Sequence, residues 1–215
     1  MTRHPPIRDQ VASILRNAIV SLEFVPGQVL IERTLCEMTE ASRPSVREAL
    51  RQLEAEGLVD SQNGRGTIVR VVTASEAAQV YEVRAELEGL AARLFTQRST
   101  SEQQDRLRLA LDALKISNAE PFETARVLDA QNAFYRALFD GAGNEFLDKT
   151  VQGMQVRIAQ LRALTLQAPG RAAASLREFE RLAELLLAGD GVGAQQAASE
   201  HVHHAAAAMT SVVPS

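Results

Sequence analysis

Between Leu58-Val59 and Thr67-Ile68-Val69 stands Asn63-Gly64-Arg65-Gly66, the segment that most narrows what this chain can become. An Asn-Gly turn needs positive φ, and flanked by β-branched or apolar pairs it reads as a hairpin. Three amphipathic helices are predicted before it. In residues 8–21, Val11, Ile14, Leu15, Ala18 and Ile19 recur at helical spacing, and Val25-Pro26-Gly27 ends the segment. A short helix fits Glu32 to about Thr39. A third fits residues 43–56, with Val46, Ala49, Leu50 and Leu53 inward and Gly57 at its end. Ser45 and Glu48 have capping-box spacing, and Pro44 falls in the first turn, where a missing N–H costs little. Helix, turn, helix, turn, helix, hairpin is the order of a winged helix-turn-helix.

On the third helix Arg43, Arg47 and Arg51 recur at i, i+4, i+8, opposite the apolar stripe. A helix anchored by one face and presenting guanidinium groups on the other suits the DNA major groove. A solvated arginine face, neutralised by Glu48 and Glu54, is the plainer alternative. The overall charge of -4 speaks against nucleic acid, but it is unevenly placed. Residues 1–72 carry nine arginines and nine acidic residues and are neutral; the remainder, with 14 basic and 18 acidic residues, holds the whole surplus. Both lysines, Lys115 and Lys149, also lie in that remainder. The first part therefore meets a polyanion with arginine alone, whose planar fork matches phosphate and guanine edges.

The β-branched run gives way at about Val72 to Ser75 to Ala/Leu/Glu/Arg-rich sequence. We read domains at 1–72 and 77–212 joined by a linker at 73–76. Six helices are predicted in the second, at about 75–98, 101–117, 121–140, 144–167, 171–188 and 191–209. Their short connections favour antiparallel neighbours in an all-α bundle, so the fold class is mainly α. No apolar run is long enough to span a membrane. Cys36 is the single cysteine, which excludes an internal disulfide framework, and a cytoplasmic protein is expected. A nucleophile elbow, a glycine-rich phosphate loop and a complete metal-ligand set are all missing, so no enzyme is expected.

Pro26-Gly27-Gln28-Val29-Leu30, Glu32-Arg33-Thr34-Leu35, Ser42-Arg43-Pro44-Ser45-Val46-Arg47-Glu48-Ala49-Leu50, Leu53-Glu54-Ala55-Glu56-Gly57-Leu58-Val59 and the hairpin segment together resemble the GntR family of bacterial transcription regulators. The resemblance implies operator contacts by Arg43 and Arg47, with Arg33, Ser42 and Ser45 on the same surface and Gly64-Arg65 at the wing tip. Thr39-Glu40-Ala41 departs from the family's Leu-Gly-Val-like turn. Glu40 lacks glycine's freedom at positive φ, so a re-angled, less stable turn is expected.

Tyr81 to Glu88, Phe134-Tyr135-Arg136-Ala137-Leu138 with Gly143-Asn144, and Phe179 through Asp190 with His201 resemble the FCD ligand-binding domain of FadR-type members, in the six-helix, VanR-like form. That family's pocket holds a divalent metal through an Asp and a His four residues apart and two further histidines. The corresponding positions here are Gln131, Tyr135, Phe179 and His201, so no metal cofactor is expected. Asp129 is turned about 200° from the needed face. His201 by itself reads as a hydrogen-bonding pocket group or a satisfied buried histidine, and the run His201, His203 and His204 as a partly exposed helix end rather than a metal set. What remains is a pocket for an organic effector, with a carboxylate a candidate. Arg84 is a carboxylate-binding candidate by resemblance and Arg157 a second; ion pairs, such as Arg84 with Glu88, are the alternative for both. Tyr135 and Phe179 would make its walls more apolar than in the metal form. The expected protein is a homodimeric regulator, a repressor, that binds a dyad-symmetric operator and answers to a small ligand. The rival is a constitutive or architectural DNA-binding protein with a degenerate sensor pocket.

Overall fold

In the computed structural model, which describes residues 6–62, 66–119 and 122–211, the chain divides after Val72 into two units, each built around its own core. In the first, α1 (Ile7–Val20) buries Val11, Ala12, Leu15, Ala18 and Ile19. Ile14, read as part of that face, remains 43% exposed. Helix α3 (Arg43–Ala55) presents Val46, Ala49, Leu50 and Leu53 to α1, and α2 (Glu32–Thr39) adds Leu35. Arg16 on α1 donates to both carboxylate oxygens of Glu56, the residue capping the end of α3, at 2.7 and 2.6 Å. This half-buried fork fixes the angle between the two helices.

Strands β2 (Val59–Gln62) and β3 (Gly66–Val69) pair antiparallel from Val59 opposite Val69 to Gln62 opposite Gly66. Their connection, with Asn63, Gly64 and Arg65, lies outside the described residues. A strand not expected from the sequence, β1 (Val29–Leu30), pairs with the other side of β3 and gives the order β1-β3-β2. Two residues are too few to show an alternation.

Two local readings change. The cap of α3 is Ser42, whose Oγ accepts from Ser45 N–H, so the Ser45–Glu48 box does not form. Between α2 and α3, Glu40 adopts the left-handed conformation itself, at φ 51° and ψ 29°, with Thr39 Oγ1 donating to Leu35 O at 2.7 Å. A side chain in that region costs about 1–2 kcal/mol, of which glycine's extra unfolded entropy offsets part. Glu40→Gly is therefore expected to stabilise the chain by about 0.5–1 kcal/mol, read as a higher urea midpoint; an unchanged or lower midpoint would count against strain at Glu40.

The second unit is helical throughout: α4 (Ala74–Arg98), α5 (Ser101–Ser117), α6 (Thr124–Ala142), α7 (Glu145–Leu166), α8 (Arg171–Ala188) and α9 (Gly191–Met209). Complete capping boxes start α4 (Thr73 with Glu76) and α5 (Thr100 with Gln103), and Asn144 and Asp190 cap α7 and α9. Helix α4 runs antiparallel to α9. Ala85 O accepts from Ser199 Oγ, and further along α4 Gly89 meets Gln195. A Cβ on Gly89 would fall 2.7 Å from Ser199 Oγ, so the two helices approach this closely only because position 89 is glycine. Helix α6 runs past its expected end at 140 to Ala142, and Gly141 there comes so close to the Phe95 ring that a Cβ would collide.

Candidate DNA-reading face and buried effector site

With α3 pinned by its apolar face, Arg43, Arg47 and Arg51 are left in solvent. Arg47 Nε donates to Glu32 Oε1 at 2.8 Å, tying the start of α2 to the middle of α3. This hydrogen bond holds the Glu32 carboxyl below its usual range. Arg51 pairs with Glu48, and Arg33 lies 3.8 Å from Glu37. Exposed pairs of this kind are worth little, about 0–1 kcal/mol, so phosphate or a base edge can replace the carboxylate at small cost. Arg43 is exposed and makes no direct ion pair among the described residues, its charge acting on Glu32 from a distance. Ser42 and Ser45 flank it, their hydroxyls 3.0 Å apart at the helix N-terminus, where backbone N–H groups favour an anion. Of the expected contact residues, Arg33, Ser42, Arg43, Ser45 and Arg47 stand on α2 and the α3 terminus; Gly64 and Arg65 lie outside the described residues.

In the helical unit, side chains from five helices meet in the interior. Arg84 on α4, only 1% exposed, donates from Nε to Glu88 Oε1 at 3.0 Å. The Glu88 oxygen is shared with Arg162 of α7, whose Nη2 is 3.5 Å away and whose Nη1 reaches Asn132 Oδ1 at 3.2 Å. The Arg162 guanidinium carbon lies 3.7 Å over the Tyr135 ring. Tyr135 and Phe134 of α6 meet Phe179 of α8 edge-on, at centroid separations of 5.5 and 4.9 Å. Behind Phe179, His201 of α9 sits 4.6 Å away. Gln131 donates to Ser175 Oγ at 3.4 Å.

This geometry corrects the pocket expected from sequence. Arg157 is exposed on α7; Arg162 is the arginine that reaches the interior. Its position within Ile158-Ala159-Gln160-Leu161-Arg162-Ala163-Leu164, apolar apart from Gln160, was the available signal. The interior is also richer in charge than its aromatic walls suggested. Arg84 takes the ion-pair alternative with Glu88, yet its two terminal nitrogens are buried without a hydrogen bond. His201 is a buried, hydrogen-bonded histidine, one of the readings open from sequence, while His203 and His204 are exposed on α9.

His201 belongs to a second cluster that sequence reasoning missed. Glu178 accepts a two-pronged pair from Arg171 at 2.8 and 2.7 Å, His201 Nδ1–H at 2.6 Å and His204 Nδ1–H at 2.9 Å. Burial would raise the Glu178 carboxyl, but bonds from His201 and Arg171 outweigh it and bring it to about 2. Burial pushes His201 below 6.5 despite Glu178. Both folded-state values are depressed, so the unfolded chain binds more protons on acidification and stability falls with pH. The loss begins below pH 6.5 through His201. Below pH 4.5 the contribution of Glu178, about 2 kcal/mol after allowance for its partial exposure, is lost as well. Urea midpoints followed from neutral to acid pH check this: Glu178→Gln should flatten the acid limb, and an unchanged limb would contradict it.

A divalent metal does not fit these residues. Phe179 has no donor atom, and the Tyr135 hydroxyl is held in its protonated form by burial and the Glu88 charge. His201 Nδ1 is committed to Glu178, and two guanidinium groups nearby repel a cation. Asp129 is exposed. Among the described residues no group of three His, Cys, Asp or Glu side chains is placed to hold a metal ion; Glu178, His201 and His204 meet only as carboxylate and ring N–H partners.

An arginine-bearing helix in a winged helix-turn-helix, followed by a helical unit with charged groups in its interior, defines a DNA-binding transcription regulator with an effector domain. Residues 7–69 match the family model of the gntR bacterial regulatory proteins, and residues 79–204 match that of the FCD domain. The chain belongs to the GntR family, in its FCD-containing branch. It is 26% identical over 190 residues to the uncharacterized HTH-type transcriptional regulator YdhC of Bacillus subtilis, a match covering 88% of this chain and 85% of that protein. It is 34% identical over 139 residues to the Nta operon transcriptional regulator of Aminobacter aminovorans, 65% of each chain. A solved GntR regulator from Rhodococcus superposes with a TM-score of 0.83 at 25% identity, covering 96% of this chain and 99% of that one. No helix among the described residues is long and apolar enough to cross a membrane.

Proposed function

We propose that the chain is a cytoplasmic homodimeric repressor that sets one winged helix on each half of a dyad-symmetric operator and leaves it when a small organic effector binds in the helical domain. The observation that carries this reading is the α3 face. Arg43 and Arg47 project into solvent from a helix fixed by Val46, Ala49, Leu50 and Leu53, as groove recognition requires. The dimer is supported by Leu109 and Ile116, seven residues apart on α5 and 69% and 67% exposed, a placement that association would explain. Repression follows if an occupied promoter dyad excludes the polymerase, and an effector that favours the DNA-free arrangement then relieves it.

Footprinting on the DNA upstream of the gene, with sedimentation of free and DNA-bound protein, tests this. Two protected half-sites related by a dyad, about one helical turn apart and bound by two copies, are expected. A single asymmetric site bound by one copy would overturn it.

A further inference from the structure

Buried guanidinium groups normally use their donors, because leaving a charge desolvated and unpaired is costly. Here Arg84 Nη1 and Nη2 and Arg162 Nε are buried and lack a hydrogen bond, and the buried Tyr135 hydroxyl has the already shared Glu88 carboxylate as its acceptor. Arg84 Nη2 comes within 3.0 Å of Glu88 Oε1, but without hydrogen-bonding geometry. One carboxylate oxygen, Glu88 Oε1, is asked to serve both arginines. Among the described residues no other carboxylate closes the account: Glu178 is taken up by Arg171, His201 and His204, and the Tyr81 hydroxyl bonds Thr165. With His201 neutral, Arg84 and Arg162 face Glu88 with one positive charge in surplus. Burial pushes the Arg162 guanidinium below its usual range, and the like charge of Arg84 adds to this.

We propose that Arg84, Arg162 and Tyr135 form a metal-free site for a single carboxylate, in which guanidinium charge takes the place of the divalent ion and Glu88 is the resident carboxylate that competes with the ligand. This rests on the reading of the helical domain as the effector domain. A planar carboxylate matches the guanidinium fork and can accept from Arg84 Nη1 and Nη2, Arg162 Nε and the Tyr135 hydroxyl. The edge-on cluster of Phe134, Tyr135 and Phe179 is suited to an acyl or aryl remainder. A cation would meet the same surplus charge as repulsion, so the disagreement with the family's metal set and the presence of the arginines have one explanation.

The test uses the full chain freed of metal with a chelator, and acetate and benzoate as probes. Benzamide, shaped like benzoate but neutral, and chloride are the controls. One or both carboxylates should raise the melting temperature, by about 5 °C or more at a hundredfold excess over Kd, while benzamide and chloride do not. Arg162→Met removes the surplus charge, keeps the buried volume, and should fold while losing tenfold or more in carboxylate affinity. Glu88→Gln removes the competitor and should bind tenfold or more tightly. Stabilisation by neither carboxylate in either the parent or Glu88→Gln overturns the proposal, as does unchanged affinity in Arg162→Met or binding abolished by the chelator. If the carboxylate binds through Arg162 while operator affinity stays fixed, the site stands and the effector reading fails. If a carboxylate releases the operator equally well in Arg162→Met, the effector reading stands and this site fails.

Discussion

Replacing Arg43 and Arg47 together by alanine is expected to abolish operator recognition and to leave both units folded. Each side chain is exposed, and the contact it makes among the described residues is with the Glu32 carboxylate, by a hydrogen bond from Arg47 and by charge from Arg43, so neither supports the core. A guanidinium that pairs with a base edge contributes about 1–3 kcal/mol of discrimination, and one on a phosphate shifts the salt dependence by about one unit of slope. The double variant should therefore bind its operator at least a hundredfold more weakly, by fluorescence anisotropy at fixed salt, with an unaltered melting curve. Glu32→Gln moves the other way, because Arg47 then gives up no internal partner on binding. Operator affinity retained in the double variant would return α3 to the plainer reading, a solvated arginine face.

The largest loss of stability is expected at Glu88. Glu88→Ala leaves Arg84 and Arg162 buried with no counter-charge, and breaking a buried pair by removing one partner costs about 3–5 kcal/mol. Urea unfolding followed by circular dichroism measures this. The companion Arg162→Met should restore much of the loss, since a single buried cation then remains and the apolar side chain fills the space over Tyr135. If the two changes simply add, Glu88 and Arg162 are not coupled and the interior charge has been misassigned.

Much of this molecule was legible in its sequence for reasons that can be named. The bounds of α5, α8 and α9 follow from caps and glycine stops: Thr100 with Gln103, Asp190, and Gly189 at φ 76°. Local chemistry of that kind acts within a few residues. The misses lie where distant elements decide. Arg157 and Arg162 are both arginines on α7, five residues apart, and only the packing of α4 and α6 makes one a surface group and the other a member of the interior cluster. Glu178 gathers Arg171, seven residues back, and two histidines on α9, a constellation no single window contains. Glu40 was flagged as a poor residue for its turn, yet the turn keeps its left-handed geometry with Glu40 in place. The strand β1 exists because β3 offers it an edge.

The coupling of DNA reading to occupancy of the helical interior is tested most directly by titrating operator DNA with the metal-free protein, with and without saturating benzoate. Operator affinity should fall at least fivefold with benzoate present, and benzoate affinity should fall by the same factor when operator is bound, since linkage is reciprocal. Operator affinity that is identical with and without benzoate, in a protein shown to have benzoate bound, would contradict the coupling and leave a DNA-binding protein whose helical domain does not sense this ligand.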